Sequence, residues 1–257
     1  MQQDQITVED IQNWQGQAGP LALTAYDYTI ARLLDEAGVD ILHVGDSLGM
    51  ILLGHEDTTS VSMDDMLRAT EAVARGRSRA LITSDLPFGA YKTPEEALEN
   101  GRRLIDAGAD AVKMEGGEAI AEQTRFLLSE GIPLQGHIGM LPQHIKEEGA
   151  YKKKGKSEVE ADLLSKDALL LEELGIFSLV LESVVPAIAA QITEQLTIPT
   201  IGIASGSQTT GQIRVYSDVI GLTPWFNFPH VQNEMKAAES IKSAVQGLKV
   251  KIFSGEN

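Results

Sequence analysis

Three stretches decide the fold: DEAGVDILHVGDS (35–47), IDAGADAVKMEGG (105–117) and EELGIFSLVLESV (172–184). Each reads as a helix end, a glycine, an apolar β-type run and then a carboxylate. Seven residues beyond the glycine stand Gly45, with Asp46 next to it, Glu115 and Glu182. A helix–glycine–strand unit repeated in this way brings an acidic residue each time to the same sheet edge, where the strands end.

Working outward, apolar β-type runs alternate with amphipathic helical stretches along the whole chain. The strand-like runs are LALTAYD (21–27), ILHVGDS (41–47), ALITSDL (80–86), AVKMEGG (111–117), PLQGHI (133–138), SLVLES (178–183), PTIGIA (199–204) and DVIGLT (218–223). Helices between them open on N-terminal signals, such as Ser62 followed by Asp64 and Asp65, or Thr93-Pro94-Glu95-Glu96. Several close at a glycine: Gly38, Gly76, Gly108, Gly131 and Gly175. A last helix is expected from about 233 to 248, and the link from 211 to 218 leaves little room for one. Eight strand–helix units in this length predict an α/β protein, a (β/α)8 TIM-type barrel with a short N-terminal helix. A doubly wound open sheet is the competitor, but it would normally offer a dinucleotide or phosphate loop after an early strand. No linker or composition shift interrupts the pattern, so residues 1–257 are expected to form one domain.

The chain has 257 residues, 37 Asp plus Glu against 21 Lys plus Arg, a formal net charge of −16, and no cysteine. Disulfides, thiolate metal sites and a cysteine nucleophile are therefore excluded. Such acidity argues against nucleic acid or anionic lipid as the main partner, since both require clustered positive charge. No run approaches the ~18–20 apolar residues of a spanning helix. The start, MQQDQITVED, lacks the basic head and apolar run of a secretory signal, so a soluble cytoplasmic protein is expected.

In a barrel of this type the loops after the strands build the active site. The polar residues at the strand ends are Asp46 and Ser47, Asp85, Lys113 and Glu115, His137, and Glu182. Alternation puts Lys113 and Glu115 on one face, and likewise Gln135 and His137. Taken singly each has a plain structural reading: an acid as helix cap, Lys113 as an ion-pair partner, His137 as a hydrogen-bonded core residue. Gathered on one rim, buried charges need a cation or mutual pairing. Three carboxylates without cysteine suit a hard, oxygen-preferring metal, Mg²⁺ before Zn²⁺. Such a site would take a bidentate oxygen ligand, for example a 2-oxo acid, and stabilise an enolate beside its carbonyl. A separate carboxylate would act as base, and Lys113 could hold the substrate's negative end.

Two features are set aside. GAYKKKGKS (149–157) has five residues between its glycines where a phosphate loop needs four, and no strand run directly precedes it; a lysine-bearing flexible loop or lid is the better reading. Met63 and Met66, near Leu67, read as core packing at helical spacing.

The blocks TAYDY (24–28), VGDSLGM (44–50), DLPFGAY (85–91), VKMEGGE (112–118), GHIGMLPQ (136–143) and LESVVP (181–186) resemble the ketopantoate hydroxymethyltransferase family, in that family's order over most of the chain. The resemblance implies a (β/α)8 barrel, usually a homodecamer. It would use Mg²⁺ and 5,10-methylenetetrahydrofolate to add a hydroxymethyl group to 3-methyl-2-oxobutanoate, the opening step of pantothenate biosynthesis. It further implies Asp46, Asp85 and Glu115 around the metal, and Asp46, Ser47, Asp85 and Lys113 around the 2-oxo acid, with Glu182 as general base. His137 matches an active-site histidine of the family. The departures lie mainly in the last third. The family's G-I-G-A-G followed by D-G-Q is here Gly202-Ile203-Ala204-Ser205-Gly206 and then Thr210-Gly211-Gln212. A basic P-K-F-type segment is here Pro229-His230-Val231, after Trp225-Phe226-Asn227-Phe228, and Leu141 stands where a threonine is common. Two alternatives follow. One is a Mg²⁺ barrel of the phosphoenolpyruvate mutase and isocitrate lyase type, against which the missing cysteine counts. The other is a paralogue that binds a 2-oxo acid without turnover, against which the retained Glu182 counts.

Overall fold

Eight parallel strands close on themselves in chain order: β1 (Leu21–Thr24), β2 (Ile41–Val44), β3 (Leu81–Asp85), β4 (Ala111–Glu115), β5 (Leu134–Gly139), β6 (Ser178–Glu182), β7 (Thr200–Ile203) and β8 (Gly211–Arg214). The computed structural model describes residues 4–14, 18–226 and 233–254. The chain divides into two units, Met1–Ile213 and Arg214–Asn257.

Apolar residues at or beside the strand starts fill this end of the barrel. Ala22, Ile41, Leu81, Ala111, Phe177, Ile201 and Ile213 form one buried cluster at the strand starts, joined by Val180. The N-terminal segment around the short helix α1 (Val8–Gln12) closes this end: Ile6, just ahead of the helix, and Ile11, within it, enter the cluster, and Val8 and Trp14 pack against it. Its first turn is held by a capping box between Thr7 and Asp10, and Ile6 N–H bonds the Arg79 carbonyl at 2.8 Å. Each such apolar side chain buried is worth ~1.5–3 kcal/mol, so the N-terminal end of the barrel is a stability element and the opposite rim is left for chemistry.

The helices follow their local signals. Ser62 caps Met63–Gly76 in a capping box with Asp65, and Met66, Ala69, Thr70 and Val73 form its buried face. Thr93 caps Pro94–Asp106, with proline in the first turn. Gly175, at φ +105°, ends Glu158–Leu174 in the left-handed conformation. Gly76 has a different reason to be glycine: a Cβ there would meet the Tyr28 carbonyl oxygen at 2.6 Å, so it permits close packing of the neighbouring helix Tyr28–Glu36.

The last strand is not where the apolar pattern placed it. DVIGLT (218–223) is not extended; Tyr216–Val219 is a single helical turn. β8 is instead the polar run Gly211-Gln212-Ile213-Arg214, paired Ile201↔Gly211 and Gly202↔Gln212 with β7. The Gln212 N–H also bonds the Pro20 carbonyl at 3.1 Å, just ahead of β1. The link from 211 to 218 that left little room for a helix therefore contains β8 itself, and no helix intervenes between β7 and β8.

In the second unit, the helix Ala237–Ser254 starts and ends later than the sequence pattern suggested. It bears Ile241, Val245, Leu248 and Ile252 along one face, all exposed. Residues 227–232, which include Pro229, His230 and Val231, lie outside the described residues.

Candidate active site

The pairing register places the strand-end residues side by side. Asp85 aligns with Lys113, Glu115 with His137, and Gly139 with Glu182. Period-two alternation then sends Asp85, Lys113, Glu115, His137 and Glu182 to the barrel interior at the C-terminal rim. Asp46 and Ser47 stand just past the end of β2. Except for Ser47 and Glu182, all of these residues are at most 4% exposed.

The side chains form a continuous polar chain. Lys113 Nζ lies 2.8 Å from Asp85 Oδ1 and 3.3 Å from His137 Nδ1. His137 stands between two acids, with Nδ1 3.4 Å from Glu115 Oε1 and Nε2 3.3 Å from Glu182 Oε2. The Asp46 backbone N–H bonds Asp85 Oδ2 at 3.0 Å. Ser47 Oγ shares a 2.8 Å hydrogen bond with Tyr26 OH. Asp85, Lys113, His137, Glu115 and Glu182 are thus linked side chain to side chain, Asp46 joins them through its backbone N–H, and Ser47, next in the chain, bonds Tyr26 instead. Glu182 is its most open carboxylate: its side chain is 18% exposed, against 3% for that of Asp85 and 1% for that of Glu115.

Electrostatics sort these groups. Burial raises the Asp46 carboxyl well above its ordinary range, and the like charges of Asp85 and Glu115 add to this against Lys113 and Gln143. Burial also opposes ionisation of Asp85, but Lys113 and His43 outweigh it and hold that carboxyl low. Lys113 is desolvated too, yet Asp85, Glu115 and Asp46 keep its ammonium strongly favoured. Burial and Lys113 disfavour a charged His137, while Glu115 and Glu182 favour it more and raise the ring to about 9.

The strand end bearing Glu182 is strained and buttressed. Ser183 adopts φ +51°, costly for a residue with a side chain. Ser205 Oγ accepts the Val184 N–H at 2.9 Å and donates to the Leu181 carbonyl at 2.7 Å, clamping both flanks of Glu182 and Ser183. Lys154 adds two backbone bonds, to the Ser183 carbonyl and from the Val185 N–H, each 2.8 Å. The lysine-bearing loop is therefore tied to the segment just past β6.

Sequence reasoning passed over His43, Tyr91 and Gln143. His43 Nδ1 lies 2.8 Å from Thr83 Oγ1, and Nε2 lies 3.4 Å from Asp85 Oδ1. Its signal was available: it shares the parity of Ile41 on β2. Gln143 is 2% exposed and reaches Asp46, Glu115 and Tyr91. Nothing in its local spacing announces those partners, because they come from three other strand ends.

Buried carboxylates, an ammonium and an imidazole gathered at the strand ends of a (β/α)8 barrel are a set of acid–base groups on the face where enzymes of this fold build their active sites. The ketopantoate hydroxymethyltransferase family model matches residues 5–256. The 3-methyl-2-oxobutanoate hydroxymethyltransferase of Ignicoccus hospitalis is 43% identical over 253 residues, 98% of this chain and 96% of that protein. The protein of the same name from Pyrobaculum neutrophilum is 50% identical over 209 residues, 81% and 80% of the two chains. Among solved structures, a phosphoenolpyruvate phosphomutase from Streptomyces platensis subsp. rosaceus superposes with a TM-score of 0.67 over 97% of this chain and 88% of the other, at 11% identity. That likeness concerns the fold. The chain belongs to the ketopantoate hydroxymethyltransferase family.

Proposed function

We propose that this chain transfers a hydroxymethyl group from 5,10-methylenetetrahydrofolate to 3-methyl-2-oxobutanoate, giving ketopantoate (2-dehydropantoate), with water supplying the hydroxyl oxygen. The observation that carries this reading is a family match across residues 5–256 on a barrel whose rim holds the whole acid–base set. The mutase and lyase alternative has only fold likeness at low identity behind it.

A metal fits the donor chemistry. Among the described residues, Asp46, Asp85, Glu115 and Glu182 gather beside Lys113, His137 and His43, and burial first, then the like charges of Asp85 and Glu115, raises Asp46, a strain that a cation among the acids would relieve. Among the described residues no three His, Asp or Glu side chains already converge as a cage, and protein donors meet several of the carboxylate oxygens. Asp85 faces Lys113 and the Asp46 N–H, while Asp46 Oδ2 and Glu115 Oε2 face Gln143. An all-oxygen, carboxylate-rich set suits Mg²⁺. Asp46, Asp85 and Glu115 would hold it, and when bound it would polarise the 2-oxo group.

The remaining work falls to the chain's own side chains. Lys113 and Ser47 orient the 2-oxo acid, with Asp46 and Asp85 beside it. Glu182, the carboxylate most open to the mouth, takes the C3 proton and leaves an enolate whose C3 attacks the one-carbon unit. The His137 ring stands 3.3 Å from Glu182 and orients its carboxylate, while Glu115 holds the ring from its other side. We place the protein in the cytoplasm as a homo-oligomer; the exposed apolar face of Ala237–Ser254 supports self-association, and among the described residues no helix is long and apolar enough to cross a membrane. The test is direct: purified protein, MgCl₂, 3-methyl-2-oxobutanoate and methylenetetrahydrofolate should yield ketopantoate. Substrate left unconverted under saturating conditions would reject the assignment.

A further inference from the structure

We infer that Gln143, oriented by Tyr91, is a positioning residue that presets the carboxylates proposed to hold the divalent cation. The inference rests on the reading of Asp46 and Glu115 as holders of that ion, and it adds a residue to which that reading gives no part. Gln143 sits in the single turn Pro142–His144 after β5, and its side-chain amide and backbone N–H are committed. Its side-chain Nε2 donates to Asp46 Oδ2 at 2.8 Å and to the Leu86 carbonyl at 2.9 Å. Its backbone N–H donates to Glu115 Oε2 at 3.0 Å. Its Oε1 accepts the Tyr91 hydroxyl at 2.5 Å. Through its side-chain amide and its backbone N–H, one buried residue thus binds the acid after β2, the acid ending β4, and Leu86, just past Asp85 at the end of β3.

The orientation of the amide is forced. Asp46 Oδ2 and the Leu86 carbonyl are both acceptors, so the NH₂ must face them. A flipped amide would point its oxygen at two oxygens. Tyr91, itself 9% exposed, supplies the hydroxyl donor that favours the unflipped state. Gln143 therefore fixes one oxygen of Asp46 and one of Glu115 before any ion arrives. Fixing outer oxygens in this way sets the remaining ligand atoms, and loss of such a partner typically weakens metal binding ~10–100-fold.

Gln143→Met keeps the volume and removes the amide; Tyr91→Phe removes only the orienting hydroxyl. Mg²⁺ binding is titrated calorimetrically on each purified full-length protein, alongside its thermal midpoint and its Mg²⁺-dependent exchange of the keto-acid C3 proton. The expected result is ~10–100-fold weaker Mg²⁺ binding in Gln143→Met and a smaller loss in Tyr91→Phe, with exchange in Gln143→Met recovering at high Mg²⁺. Folded variants that titrate Mg²⁺ as the wild type does would overturn the inference. So would a lowered thermal midpoint with unchanged Mg²⁺ affinity, which marks a purely structural residue. If the wild type itself binds no Mg²⁺, the metal reading fails and this inference falls with it, a result distinct from failure of the variants alone.

Discussion

His137 offers the sharpest electrostatic test. Its ring is fully enclosed, and burial together with Lys113 at 3.3 Å should drive it neutral. Glu115 at 3.4 Å and Glu182 at 3.3 Å reverse that and raise it from 6.5 to about 9. A rise of that size corresponds to roughly 3 kcal/mol of preference for the protonated ring in the folded state. Because the folded value is raised, this stability is fully present below pH 6.5, declines between 6.5 and about 9, and is gone above. The perturbation is His137→Gln, compared with wild type in metal-free buffer by urea unfolding from pH 6 to pH 10. The stability gap between the two should shrink by roughly 3 kcal/mol across that range, leaving only a pH-independent packing difference. NMR of the ring Cε1–H should show a midpoint near 9. A midpoint at or below 6.5, or a gap that does not change with pH, would refute this electrostatic account.

Three further outcomes are expected. Asp85→Asn removes the counter-charge of buried Lys113 and should cost about 3 kcal/mol, while weakening Mg²⁺ binding at least ~10-fold in a calorimetric titration; unchanged Mg²⁺ binding would remove Asp85 from the metal's holders. Ala204, at φ +54°, occupies a conformation natural to glycine, so Ala204→Gly should stabilise by about 1 kcal/mol, and a lower thermal midpoint would contradict the strain. Asp35 is opposed by burial but held low by the backbone N–H groups of Ala80, Ser78 and Arg79; Asp35→Asn should cost about 2 kcal/mol at pH 7, with the deficit shrinking as pH falls below about 3.8, and a deficit that stays constant would contradict this.

The sequence made the first seven strands legible because each carries its own apolar run and a punctuating glycine or cap. β8 was not legible, since Gly211-Gln212-Ile213-Arg214 has one apolar side chain and is held by backbone bonds to β7 and to Pro20. The more apolar DVIGLT drew the assignment instead. At the site, Asp46, Asp85, Lys113, Glu115, His137 and Glu182 could be read because alternation and the strand-end rule act locally. Gln143 and Tyr91 could not, because their meaning lies in contacts 52 and 97 residues away along the chain, from Gln143 to Tyr91 and to Asp46. One change of the altered last third became interpretable only with geometry. Ser205, where the family commonly has alanine, ties together the two flanks of Glu182.

The central claim is that Glu182 removes the C3 proton of 3-methyl-2-oxobutanoate on a Mg²⁺-dependent rim. Proton NMR in D₂O with Mg²⁺ and no folate tests it most directly, comparing wild type with Glu182→Gln. The account predicts rapid loss of the C3–H signal with wild type, and at least ~100-fold slower exchange for Glu182→Gln with substrate still bound. Exchange at the wild-type rate in Glu182→Gln would contradict it.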